Sequence, residues 1–220
     1  MTSISTVGMT RAEWLQARRT GIGGSDAGKI CLSREQYTYA DPGALYLDKI
    51  GEGPVTDSPS LAARHGTWCE PLVADLYVEA TGNRVHRYNR MMRSDEHPFM
   101  LADIDRKLYG KNEGLECKTI GEFAARMRVK DPETDEVHWI PRLVPDDMET
   151  SLSRKPEWYC QMQHYMAVTG WKMWHLAVLI GNHDFLWFDV PRDDPWIEEM
   201  VKLEAAFWDC VERRDNIWKE

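Results

Sequence analysis

Two short apolar runs that carry carboxylates, separated by a turn, constrain this chain more than anything else in it. They are Met100-Leu-Ala-Asp-Ile-Asp105 and Gly114-Leu-Glu116-Cys-Lys118-Thr119, with Gly110-Lys111-Asn112 between them. Apolar runs flanking such a turn signal predict a β-hairpin. Successive side chains of a strand point to opposite faces, so Glu116 and Lys118 share one face while Cys117 points to the other. The neighbouring strand can bring Asp105 alongside Glu116. A sheet built around this hairpin therefore carries a small group of charges at one edge.

The rest of the chain supplies helices to flank that sheet. Thr10 can cap a helix over 10–18, with Glu13 completing a capping box. The turn Gly21-Ile-Gly23-Gly24-Ser25-Asp26 follows, and a second helix is expected from Ser25 or Asp26. A helical stretch over 44–50 gives way to Gly51-Glu52-Gly53-Pro54 and a polar loop reaching Ser60. Leu72, Val73, Leu76 and Tyr77 recur at helical spacing within 61–80, and Thr81-Gly82-Asn83 ends that helix. Strands are predicted over 84–88, 100–108 and 114–119. Residues 131–150 are acidic and contain proline, which predicts a surface loop. A helix over 156–168 precedes strands over 172–180 and 185–190. A final helix over 195–218 presents Trp196, Met200, Leu203, Phe207 and Val211 on one face. Helices around a mixed sheet make the class α/β or α+β, and 220 residues suit one domain, 1–220.

Charge and cysteine content narrow the function classes. A net charge of −9 argues against a general polyanion binder, because phosphate contacts need Lys and Arg. Basic residues gather early (Arg11, Arg18, Arg19, Lys29) and again at Arg84, Arg87, Arg90 and Arg93, so any nucleic-acid contact is confined to one groove. The second group is either a solvated basic face or a track for a duplex backbone. Five scattered cysteines without a CxxC pair predict reduced thiols in the cytosol, with neither a disulfide framework nor a cysteine-built zinc site. No run approaches the length of a membrane span, and residues 1–14 lack a signal peptide's apolar block. The histidines form no HExxH and no evident metal cluster, and most tryptophans read as core or interface residues.

Asp105 and Glu116 together suit a hard, oxygen-seeking cation such as Mg²⁺, with the Cys117 backbone carbonyl as a further ligand. Lys118 cannot be a ligand. It can orient or activate an attacking water and offset charge developing at a phosphate. The plainer reading, an alternating E-x-K on a solvated strand face, is also open from this motif alone. Asp103 lies one alternate position from Asp105 and ranks lower as a supporting acid.

Further segments stand in a telling order: Trp14-Leu-Gln-Ala-Arg18-Arg19-Thr-Gly21-Ile-Gly23-Gly24-Ser25-Asp26, then Gly66-Thr-Trp-Cys-Glu70-Pro71, the two strand runs, and Trp158-Tyr-Cys-Gln161-Met-Gln163-His-Tyr165. In wording and order they resemble the YqaJ-like viral recombinases, the family of the phage lambda exonuclease, from about Trp14 to Val211. The resemblance implies a PD-(D/E)xK nuclease fold and a Mg²⁺-dependent 5′→3′ exonuclease acting on ends of double-stranded DNA. Two ions are implied with DNA bound, with Mn²⁺ as a substitute. It also implies a ring-shaped homotrimer, a single-strand annealing protein as partner, and a phage or prophage origin in a bacterial cytosol. Asp105 and Glu116 match the family's metal-binding acids, Lys118 its catalytic lysine, and Glu70 the helix glutamate that approaches the metal. Gln161 matches the glutamine that places water or the scissile phosphate, and Arg18 and Ser25 match the pair that holds the 5′-phosphate. Arg106 stands where a glycine is common, and Arg19 competes with Arg18. A glycine turn before a helix N-terminus, with arginines beside it, suits a terminal phosphate dianion, though GIGGS taken alone reads first as a plain tight turn. It is not a Walker loop. A PD-(D/E)xK endonuclease or RecB-like nuclease, and a catalytically silent DNA-end-binding scaffold, are the alternatives.

Overall fold

The computed structural model describes residues 1–54 and 59–218. Part of the polar loop expected before Ser60, residues 55–58, lies outside them. Along the chain run β1 (Thr2–Ser5), α1 (Arg11–Arg19), β2 (Ile22–Gly23), α2 (Gly24–Cys31), α3 (Pro42–Lys49), α4 (Leu61–Thr81), β3 (Val85–Arg87), β4 (Arg90–Arg93) and β5 (Met100–Asp103). Then follow β6 (Arg106–Leu108), β7 (Glu113–Ile120), β8 (Arg126–Lys130), β9 (Val137–Pro141), α5 (Met148–Ser153), α6 (Pro156–Thr169), β10 (Met173–Ile180), β11 (Asp184–Pro191) and α7 (Asp194–Arg213).

A five-stranded mixed sheet, β11-β10-β7-β6-β3, forms the centre, with β7 and β10 parallel and the other pairs antiparallel. Its two faces are covered by different helices. Leu115, Ala177 and Leu179 pack with Val73, Ala74 and Tyr77 of α4. Trp174, Leu176 and Val178 pack with Trp158, Met162 and Met166 of α6. Alternation along β10 thus sends successive apolar side chains into opposite cores. Glu116 pairs with Leu176 and Lys118 with Val178, which turns both charges toward α6. A second sheet, β1-β4-β5-β2, stands beside the first. Helices on both faces of a mixed sheet make the architecture α/β.

Local chemistry sets the element ends. Thr10 and Glu13 form the capping box of α1. Gly82 ends α4 at φ 74°, the left-handed conformation glycine adopts most readily. Gly114 has a distinct packing role: any Cβ there would collide with the Trp174 indole.

Several expectations need correction. The strand expected over 100–108 is two strands in two sheets, broken at Ile104-Asp105 where the chain crosses between them. The surface loop expected over 131–150 holds instead β9 and α5; Val137 to Pro141 pair antiparallel with Lys130 to Arg126. Composition suggested a loop because nothing in this hairpin is deeply buried, so it lacks apolar alternation. The final helix stops at Arg213, and Glu204 is buried where Leu203 was expected, Leu203 being 48% exposed. β1 and β4, which pair with each other across the chain, had no separate sequence signal.

Candidate active site

The break between β5 and β6 places Asp105 at the seam of the two sheets. Its carboxylate accepts the backbone N–H of Cys117 at 2.8 Å, so the strand that carries Glu116 and Lys118 also fixes Asp105. Burial, then the charges of Glu116 and Glu70, push the Asp105 carboxyl well above its ordinary range. Glu116 is buried. Its Oε1 accepts from Gln161 Nε2 at 2.6 Å and lies 2.7 Å from Lys118 Nζ, while its Oε2 has no hydrogen-bond partner.

Lys118 also donates to Gln161 Oε1 at 2.8 Å. Burial draws its pKa down, but the neighbouring Glu116 outweighs that, and the net shift is upward. The lysine is therefore held as an ammonium. Gln161 in turn donates to Tyr165 Oη at 2.9 Å, and that hydroxyl donates to the Asp103 carbonyl at 3.1 Å. Tyr165 lies four residues after Gln161, one helical turn along α6; that spacing was the signal by which the sequence could have nominated it.

Glu70 sits on α4, on the far side of the seam. Arg106 holds it through Nη1, which also donates to the Asp105 carbonyl at 2.7 Å, and Arg87 lies 3.9 Å away. A cleft of about 340 Å³ opens here, lined by Glu70, Arg87, Asp105 and Arg106. The structure thus brings Asp105, Glu116, Lys118 and Gln161 together and keeps Glu70 turned to Arg106. Among the described residues no three His, Cys, Asp or Glu side chains converge as a ready metal cage. Asp105 and Glu116 are the two carboxyl groups set side by side at the seam. An orphaned buried oxygen beside a carboxyl crowded by like charge suits a divalent cation, and Mg²⁺ is commonly held by one or two carboxylates with water.

The glycine turn forms the second part. Arg18 donates to Ser25 Oγ at 2.7 Å, and its guanidinium lies 4.8 Å from the centre of the Trp14 ring. Trp14 donates to Asp103 at 2.5 Å. A cleft of about 160 Å³ is lined by Arg18 and Ser25 on one side and Asp103, Gln161 and Tyr165 on the other. A larger one, of about 460 Å³, opens on the other flank of Arg18 and Ser25. Arg19 lines only the larger cleft, where it binds Asp48 at 3.0 Å.

Asp26, read from the sequence only as a possible helix start, accepts the Gly23 N–H at 3.1 Å and Lys49 Nζ at 2.7 Å. Burial would raise its pKa, but Lys49 and Arg18 lower it to about 2. Lys49 shifts down as well, its burial outweighing Asp26. Asp26 is held as a carboxylate by Lys49, Arg18 and the Gly23 N–H. Lys49 and Asp26 are 23 residues apart, and only the packing of α3 on α2 reveals them as a pair.

The basic group at 84–93 is dispersed. Arg84 lies over Tyr109, Arg87 faces Glu70, Arg90 donates to Ser3, and Arg93 donates to Thr20. All five cysteines are free thiols, and among the described residues no helix is long and apolar enough to cross a membrane.

Residues 13–172 match the family model of the YqaJ-like viral recombinase domain. The chain is 37% identical over 203 residues to the YqaJ protein of Bacillus subtilis, covering 91% of this chain and 56% of that protein; it spans little more than half of its relative's length. In fold it is similar to the alkaline exonuclease of Laribacter hongkongensis (TM-score 0.63, 19% identity, 92% of this chain and 93% of that one), which was also solved with dAMP. It is likewise similar to a phage-related exonuclease of Haemophilus somnus (TM-score 0.58, 12% identity, 91% and 99%).

Proposed function

The chain belongs to the YqaJ-like viral recombinase family, and from that premise we propose that it is a divalent-metal-dependent exonuclease that degrades double-stranded DNA from 5′ ends. The observation that carries the reading is one continuous arrangement. The orphaned Glu116 oxygen and Asp105 connect through Lys118 and Gln161 to a cleft whose opposite wall is Arg18 and Ser25. A scaffold that only held DNA ends would have no use for two carboxylates buried beside a lysine.

In this proposal Asp105, Glu116 and the Cys117 carbonyl hold Mg²⁺, with a second ion when DNA is bound and Mn²⁺ as a substitute. Glu70, whose charge already reaches Asp105, supports them from α4. The bound cation supplies a Lewis acid for the phosphate and a more acidic water. Lys118, held as an ammonium, offsets the charge that builds on the phosphate oxygens, and Gln161 keeps it on station. Arg18 and Ser25 hold the terminal 5′-phosphate; Arg19 is engaged by Asp48 and is the weaker candidate. In-line attack of water on phosphorus breaks the bond to the 3′-oxygen, which leaves with a proton, and a 5′-mononucleotide is released. A 3′ single strand remains, suited to an annealing protein during recombination. A homotrimeric ring in a bacterial cytosol completes the proposal.

The test uses linear duplexes with a 5′-phosphate or a 5′-hydroxyl, beside a covalently closed circle, in Mg²⁺ and in EDTA. Preferred release of 5′-mononucleotides from the phosphorylated duplex, only in Mg²⁺, is the expected result. Cutting of the circle would establish an endonuclease instead. Inertness on all three would leave an end-binding scaffold.

A further inference from the structure

The β8–β9 ribbon leaves the sheet just past the strand that carries Glu116 and Lys118, and no role described so far uses it. Its register puts Arg126 opposite Pro141 and Arg128 opposite Trp139, so alternation gives these four residues a common face. Phe123, just before the ribbon, joins that face: its ring centre lies 5.1 Å from that of Trp139. The Arg128 guanidinium lies 6.0 Å from the Trp139 ring centre. Phe123 is 75% exposed and Trp139 47%.

Neither Arg126 nor Arg128 makes an ion pair or a side-chain hydrogen bond among the described residues. That is notable in a chain of net charge −9. Lys130, further along the same strand, is bound to Asp135 at 2.7 Å, and the tip beyond it is acidic. Unpaired positive charge is thus confined to the base of the ribbon, next to the exposed rings.

Exposed aromatic faces interleaved with unpaired arginines fit an unpaired nucleic-acid strand, whose bases stack while its phosphates meet the cations. A duplex hides its base faces from such rings. A two-fold contact with a second copy would bring the same arginines against one another. We propose that Phe123, Arg126, Arg128 and Trp139 form a binding surface for single-stranded DNA, which guides the strand left behind by digestion. The guiding role rests on the exonuclease reading; the binding surface itself does not.

The full chain is titrated in EDTA with a fluorescein-labelled oligothymidylate of roughly twelve nucleotides and, in parallel, with a duplex of equal length. Phe123→Ala/Trp139→Ala is expected to weaken oligothymidylate binding about ten-fold or more. Arg126→Gln/Arg128→Gln is expected to reduce the slope of log affinity against log salt by about 1.4, roughly 0.7 per lost contact. Duplex affinity is expected to change far less. Unchanged oligothymidylate binding in both variants overturns the proposal, as does an equal loss for duplex. A changed sedimentation coefficient with binding intact overturns it too, by making the face a contact between copies. Should either variant fail to fold, photocrosslinking of the native chain to an iodouracil-substituted single strand decides the matter: adducts at Phe123 or Trp139 support the surface, and adducts only elsewhere overturn it. Because binding is read in EDTA, failure to release nucleotides in Mg²⁺ removes the exonuclease reading and leaves the surface to be judged alone.

Discussion

Lys118 is bound on two sides, by Glu116 at 2.7 Å and Gln161 at 2.8 Å, and its charge is the only cation in direct contact with the buried Glu116 among the described residues. Lys118→Ala is expected to reduce nucleotide release by about 10²-fold or more. It also leaves Glu116 unneutralised, so the variant's melting temperature should fall in EDTA and recover in Mg²⁺. Full activity in the variant would remove the lysine from the reaction. Beside the Arg18–Ser25 cleft the buried acid is Asp26. Its lowered pKa means that it contributes stability above about pH 4, which is lost as pH falls toward 2. Asp26→Asn strands the buried Lys49 charge and is expected to cost about 3 kcal/mol at pH 7. The gap between variant and native protein should narrow as pH falls through that window, in urea titrations stepped from pH 7 to 2. A constant gap would mean that Asp26 does not titrate as its surroundings dictate.

At the scale of elements, the contact between α2 and α6 joins the two halves of the site. α2 carries Ser25, α6 carries Gln161 and Tyr165, and Gly24 is where they touch. A Cβ on Gly24 would lie 2.5 Å from the Tyr165 ring, which is itself held by Gln161 and Asp103. The helices must separate to admit it. Gly24→Ala is therefore expected to destabilise the protein by about 1–3 kcal/mol, measured as a shift in the urea midpoint. It should also lower the preference for 5′-phosphate over 5′-hydroxyl, since Arg18 and Ser25 would move away from Gln161. A second element-scale feature is the β5–β6 break. A continuous strand would have directed Asp105 by simple alternation; the break lets its carboxylate reach the Cys117 amide.

For the molecule as a whole, the cation proposed at the seam is expected to change both stability and its pH dependence. The raised pKa of Asp105 means that the folded, metal-free protein holds a proton that the unfolded chain releases. Its stability therefore falls as pH rises above the ordinary carboxylate range. A divalent cation bound there would replace that proton. At a concentration about 100 times its dissociation constant it adds about 2.7 kcal/mol, or a rise in melting temperature of roughly 5–10 °C for a chain of this size. The difference between Mg²⁺ and EDTA should widen from pH 5 to pH 8, and Asp105→Asn should abolish the widening. A melting temperature indifferent to Mg²⁺ at every pH would exclude a cation between Asp105 and Glu116.

The sequence by itself determined the helices with clear caps and periodic faces, the parity that puts Glu116 and Lys118 on one side of β7, and, through the order of its motifs, the family. These are local properties: a capping box spans a few residues, and alternation follows from backbone geometry whatever surrounds the strand. Only the tertiary structure decided that the 100–108 run splits between two sheets, that Arg106 takes up Glu70, that Lys49 meets Asp26, and that an acidic stretch pairs into the β8–β9 ribbon. Each depends on residues far apart in the chain meeting in a place from which water is partly excluded. Charge and hydrogen bonding act there with a strength that one residue's neighbours in sequence do not reveal.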